Sequence, residues 1–207
     1  MPKRRKRAFT LAEVLVTLAV IGVIAAMTIP SLVTSINNRD TITKLKKINS
    51  TLAQGVQGLN VDEIDPLIAW ADHTSITTYL CTKLNCIKVG AGSWPDVSIK
   101  YLNNNPWGNR SANTNAAILN DGTLLYFVSY GSNCTTPFAG IGTACGWIVA
   151  DINGFKDPNT FGRDVFYFLA TRTSVYPYGT GSATDCTLAG NGQKCAHKVI
   201  LEDAINY

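Results

Sequence analysis

From residue 151 to 164 the chain reads Asp-Ile-Asn-Gly-Phe-Lys-Asp-Pro-Asn-Thr-Phe-Gly-Arg-Asp, so Asp151, Asn153, Asn159 and Asp164 gather carboxylate and amide oxygens within one short stretch. Calcium takes about six to eight oxygens, and a glycine lets its loop turn sharply. The Asp-x-Asn-Gly opening is similar to the start of a calcium loop, but the bidentate glutamate that completes an EF-hand is absent. Asx residues and glycine also build plain turns between strands. Two readings therefore stay open: a bound calcium ion, or a structural turn that requires no cofactor.

Six cysteines stand at Cys81, Cys86, Cys134, Cys145, Cys186 and Cys195. Six cysteines allow fifteen pairings. Sequence neighbours close the shortest loops, which favours Cys81 with Cys86, Cys134 with Cys145, and Cys186 with Cys195. The rival readings are a zinc cluster, for which the tight CxxC spacing is lacking, and free thiols in a reducing compartment. His73 and His197 stand in no nucleophile motif, and no Walker loop, GxSxG or HExxH occurs. The sequence thus offers no enzyme signature. Trp70, Trp94, Trp107 and Trp147 fit core packing better than a carbohydrate or nucleic-acid platform.

The third chemical feature is one carboxylate in an apolar setting. Residues 9–33 hold a single charge, Glu13, in a run long enough to cross a bilayer core as a helix. Just before it stand Lys3, Arg4, Arg5, Lys6 and Arg7. By the positive-inside rule these stay cytoplasmic and send the remainder of the chain to the other side, where disulfides persist. They also account for the apparent basicity, since the rest of the chain has 13 basic residues against 14 acidic ones. That near-neutral balance argues against a nucleic-acid partner.

A secretory signal would end its apolar region at a small-residue cut, whereas here the run continues into a polar helix. A plain anchor leaves Glu13 unexplained, because an ionised carboxylate within the membrane costs a few kcal/mol, about 3 at the helix centre, unless it is paired. Lys-Arg-Arg-Lys-Arg-Ala8, then Phe9-Thr-Leu-Ala-Glu13-Val-Leu, then an apolar helix containing Pro30, resembles the signal of type IV pilins and type II secretion pseudopilins. The resemblance is close over residues 1–36 and covers the remainder only in general plan.

It implies cleavage of the Ala8–Phe9 bond by a prepilin peptidase and methylation of the new amino group on Phe9. Ala8 departs from the glycine usual in the family. Glu13 then falls four residues after the new terminus, where it would pair with the Phe9 amine of a neighbouring subunit and set the axial register of assembly. Pro30 removes a helix hydrogen bond and is expected to kink the helix or let it extend locally. The calcium-like loop also resembles, loosely, the acidic loop of some major pseudopilins.

The elements that would carry these residues follow from pattern. Ile36, Ile42, Leu45, Ile48, Leu52, Val56 and Leu59 repeat at helical spacing, which extends the first helix to about Leu59. Residues 66–86 predict one or two short helices, and residues 90–115, with Trp-Pro, Asn-Pro and repeated Asn, predict loop. Asp121-Gly122 between two apolar runs predicts a hairpin. Residues 146–151 and 164–170 add two strands, and 197–207 a short helix or strand with Val199, Ile200, Leu201 and Ile205 inward.

The expected fold is α+β: a long N-terminal helix, membrane-spanning in its first half, packed on an antiparallel sheet of about four strands with disulfide-pinned loops. The expected domains are a leader at 1–8, a membrane and filament-core helix at 9–33, and an extracytoplasmic head at 34–207. Two roles compete. One is a filament subunit of a pilus or secretion pseudopilus, with other pilin or pseudopilin subunits, the prepilin peptidase, an assembly ATPase and a platform protein as partners. The other is a membrane-anchored adhesin that does not polymerise.

Overall fold

The computed structural model describes residues 10–94, 98–108, 114–180 and 186–207. The chain divides into two units, Met1–Arg39 and Asp40–Tyr207.

Helix α1 (Leu11–Val61) supplies the described part of the first unit, and runs unbroken through Pro30. Its side chains from Leu11 to Ile36 meet no protein core: Leu11 is 78% exposed, Val16 63% and Ile36 56%. Ile36 was expected on the packed face and is instead outside it, since the buried stripe starts at Ile42. Thr28 and Thr34 donate their hydroxyls to the carbonyls of Ile24 and Pro30, which keeps these polar groups satisfied along an apolar helix.

In the second unit the same helix turns amphipathic. Ile42, Leu45, Ile48, Leu52, Val56 and Leu59 are buried at spacings of three and four, one face of a helix. Each such side chain contributes about 1.5–3 kcal/mol when fully buried. Gly55 lets the later helix that ends at Leu84 approach closely: a Cβ there would lie 2.6 Å from Leu84 Cδ2.

Helices α2 (Pro66–Ala69) and α3 (His73–Leu84) follow. Asp72 caps α3 by accepting from the amides of Thr74 and Ser75, both at 2.8 Å. Asn85, left-handed at φ 54°, ends α3 and releases the chain into β1 (Cys86–Val89). The Cys81–Cys86 disulfide ties helix to strand.

The remaining strands are β2 (Ile99–Lys100), β3 (Pro106–Gly108), β4 (Ala116–Leu119), β5 (Leu124–Ser129), β6 (Thr136–Phe138), β7 (Gly142–Ala144), β8 (Gly146–Asp151), β9 (Val165–Ala170) and β10 (Val175–Pro177). Six of them form one antiparallel sheet in the order β1-β4-β5-β8-β9-β10, against the four expected. The additions are its two edges. Strand β1 is four residues long with a register irregularity between Cys86 and Lys88, and β10 is three residues ending in Pro177. Such short runs show no measurable alternation.

Residues 90–115 were expected to be loop throughout, yet β2 and β3 pair there as a small ribbon, and β6 and β7 make a second one closed by the Cys134–Cys145 bridge.

Alternation along the central strands sends side chains to two faces. Leu125, Phe127, Ile148, Ala150, Phe166 and Phe168 join the helix-side core. Leu124, Tyr126, Val149, Val165, Tyr167 and Leu169 form a second core, covered by Trp94, Ile99, Trp107 and Phe161. Burial on both faces explains why β9 reads as an uninterrupted apolar run.

Trp70 and Trp94 are buried, whereas Trp107 and Trp147 are partly buried in an aromatic layer, their ring centroids 6.2 Å apart. Helix α4 (Cys195–Glu202) resolves the tail as helical. Val199 is buried, but Leu201, expected inward, is 71% exposed.

Candidate functional site

Two places bring the sequence-flagged residues into a defined geometry. One is the start of α1. Thr10 precedes the first helical turn, where backbone N–H groups lack partners. Glu13 accepts from the Thr10 amide at 2.8 Å and from its hydroxyl at 2.9 Å, while the Glu13 amide donates back to the Thr10 hydroxyl oxygen at 3.3 Å. This is a reciprocal capping box. Thr10 did not figure among the sequence-based site residues, although Thr-x-x-Glu ahead of an apolar run is the signal that identifies it.

Ala8 and Phe9, the expected cleavage pair, lie outside the described residues. Beyond Glu13 the helix is one long enough and apolar enough to cross a membrane, with mean hydropathy 2.3 and none of that window buried in protein.

The other place is the connection between β8 and β9. Strand β8 delivers Asp151 fully buried, and Asp164, just ahead of β9, is 3% exposed. Asp151 Oδ1 accepts from the amides of Asn153 at 3.2 Å and Gly154 at 3.1 Å, an Asx turn. Gly154 takes φ 73°, and a Cβ there would come within 2.6 Å of the Gly122 carbonyl oxygen, so the loop and the β4–β5 turn meet at a position that only glycine fills. Asp164 accepts from the Asn159 amide at 2.8 Å, the Asn153 side-chain amide at 3.0 Å and the Thr160 amide at 2.7 Å.

These bonds leave three buried oxygens without a donor: Asp151 Oδ2, Asn153 Oδ1 and Asn159 Oδ1. Orphaned buried acceptors cost about 1–3 kcal/mol each. The electrostatics point the same way. Burial first, then the charge of Asp164, push the Asp151 carboxyl up to about 8, against the pull of the Asn153 and Gly154 amides. Burial also raises Asp164, partly offset by the amides it accepts from.

Four residues named from sequence, Asp151, Asn153, Asn159 and Asp164, are thus brought together with acceptor oxygens in surplus, a donor set of the type that a hard cation takes. Among the described residues no three His, Cys, Asp or Glu side chains cluster for a metal. The donors at this loop are two carboxylates supplemented by amide oxygens.

The six cysteines pair as Cys81–Cys86, Cys134–Cys145 and Cys186–Cys195, with none free. The histidines are separate. His73 Nδ1 accepts from the Ser129 amide at 2.9 Å, and His197 Nδ1 lies 3.2 Å from the Thr180 hydroxyl.

Comparison with known families matches one model, the prokaryotic N-terminal methylation motif, at residues 3–29. No curated protein and no solved structure matches the chain. The matched segment takes in the basic run, the Ala8–Phe9 bond, the capping box and the apolar helix up to Ile29. Residues 3–29 therefore carry the prepilin-type cleavage and methylation signal of type IV pilins and pseudopilins.

Proposed function

We propose that the chain is a structural subunit of a type IV pilus-like or type II secretion pseudopilus filament, cut between Ala8 and Phe9, methylated on Phe9 and assembled through α1. The observation that carries this reading is the methylation motif at residues 3–29 leading into a helix whose apolar side chains, Leu11 to Ile36, have no protein to bury against. In the membrane lipid covers them; in a filament the same helices of other subunits would. Pilin-type families are structural rather than enzymatic.

The partners on this reading are other pilin or pseudopilin subunits, the prepilin peptidase, and indirectly an assembly ATPase and a platform protein. The head lies outside the cytoplasm. A membrane-anchored adhesin that does not polymerise is the competing role. Mass spectrometry of envelope material separates the two: an N-terminal methyl-Phe9 supports the filament subunit, and an intact Met1 or a cut elsewhere removes it.

A second reading concerns the β8–β9 loop, which we assign as a calcium site held by Asp151, Asn153, Asn159 and Asp164. It rests on the three donor-less oxygens and on two buried carboxylates, the charge of Asp164 adding to the cost of ionising Asp151. A divalent cation would supply the missing partner for all of these and fix the loop between the strands. Titrating calcium into chelated, full-length protein in detergent, followed by calorimetry, tests it. Absence of a saturable heat leaves the loop as a structural turn.

A further inference from the structure

Alongside that loop, a groove of about 420 Å³ runs between α1, the β4–β5 turn and residues 152–156. Its floor includes Ile48, and its rim carries Lys44, Lys47 and Lys156 together with Phe155, which is 61% exposed. Lys44 pairs with Asp40 at 2.8 Å and Lys47 with Asp121 at 2.6 Å, in bridges whose partners are all at least one-third exposed. Such surface pairs contribute little to stability, so they can exchange partners. Lys156 pairs with no carboxylate among the described residues. The rim therefore carries three lysines against one carboxylate, Asp121, around the buried Ile48 and Ile152.

The opposite charge lies on the same molecule. Where α1 ends, Asp62, Glu63, Asp65 and Asp72 are exposed within eleven residues that contain no lysine or arginine. Asp72 is engaged in capping α3 and Asp62 bridges to Lys83 at the surface, an exchangeable pair like those of the groove, which leaves Glu63 at the head of the patch. Residues 44 and 62 are eighteen apart along one helix, about 27 Å at 1.5 Å per residue. Two copies with parallel α1 helices, displaced axially by about that length, bring the acidic turn of one level with the lysine rim of the other.

We propose that this groove is a docking surface for a second copy of the chain, which inserts its Asp62–Glu63 turn between Lys44, Lys47 and Lys156. Complementary patches of this kind fix register and exclude wrong partners more than they add affinity. The proposal rests on the filament reading above, because parallel α1 helices are what bring the two surfaces face to face.

Charge reversal tests it in cells producing the full chain. Glu63→Lys and Lys156→Glu should each lower the yield of sheared filament several-fold, about tenfold at most, while thermal melting of the purified chain stays unchanged. The double reversal should restore the yield. Should Glu63→Lys deplete folded protein, Glu63→Gln gives the same reading through a loss of filament at lower salt than the unaltered chain tolerates. Normal filament from either single reversal overturns the docking proposal alone. Failure of the double variant to recover overturns it as well. Absence of any polymer from the unaltered chain overturns the filament reading, and this proposal with it.

Discussion

Thr10 and Glu13 cap each other: the carboxylate of Glu13 holds both the amide and the hydroxyl of Thr10, and the Thr10 oxygen takes the Glu13 amide in return. The one carboxylate of the apolar segment therefore has hydrogen-bond partners within its own chain. Among the described residues its charge, unlike its hydrogen bonds, meets no opposite charge.

Two substitutions separate those roles. Glu13→Ala removes charge and cap together, and should leave the leader cut while filament assembly fails. Thr10→Val keeps the charge and should permit filaments, at a cost of about 1 kcal/mol in the first helical turn from the lost cap. Filament yield after shearing, with hydrogen exchange over residues 11–16, measures both. Equal loss of filaments in the two variants would transfer the effect from the charge to the cap.

Calcium at a concentration about 100 times its Kd would add about 2.7 kcal/mol of stability. At about 2–4 °C per kcal/mol for a chain of this size, a chelator should lower Tm by about 5–11 °C. Asp164→Asn should remove the calcium response; its one side-chain oxygen can keep the contacts from Asn153 and Asn159, while its NH2 cannot accept from the Thr160 amide, so that bond is lost. An unchanged Tm on chelation would favour the turn alone.

The chelated protein should also lose stability as pH rises. Asp151 titrates near 3.8 when unfolded and near 8 when folded, because burial and the neighbouring Asp164 charge oppose its ionisation. Between those values the folded chain keeps a proton that the unfolded chain releases, so the stabilisation is complete below about 4 and is lost as pH climbs towards 8. The raised Asp164 adds the same sign. Urea midpoints in chelator should fall from pH 5 to pH 8, and saturating calcium should flatten the slope. A midpoint that rises over this range would contradict the assignment.

Gly154→Ala forces a side chain into φ 73° and against the Gly122 carbonyl. Where the native conformation is incompatible with the new residue, destabilisation exceeds about 1 kcal/mol. Chemical denaturation should show this, and a neutral result would mean that the β4–β5 turn yields easily.

Much of this was legible in the chain before any coordinates, and the parts that were not have identifiable reasons. The stripe from Ile42 to Leu59 and the Asp121-Gly122 hairpin announce themselves by period and by turn chemistry. Strands β1 and β10 do not, because three or four residues at a sheet edge carry too little pattern. Trp94, Ile99 and Trp107 sit among turn-forming residues that mask their use as a lid on the sheet's second face. That lid forms only through contacts distant in sequence. At the β8–β9 loop the residue types drew attention to the oxygens, but only burial shows which of them lack donors. Thr10 had a readable motif, overshadowed by the charge beside it.

If the chain assembles as proposed, its two sheet edges matter before assembly begins. Subunits held in a membrane by α1 would meet head to head often. Long, flat edges would invite strand-to-strand recruitment between them. Strand β1 is instead short, interrupted, studded with Lys88 and anchored by a disulfide, and β10 stops after three residues at a proline that cannot donate. On the filament reading, a stored population of such heads would resist sticking edge to edge, leaving the helix and the charged surfaces to decide when and in which order they join.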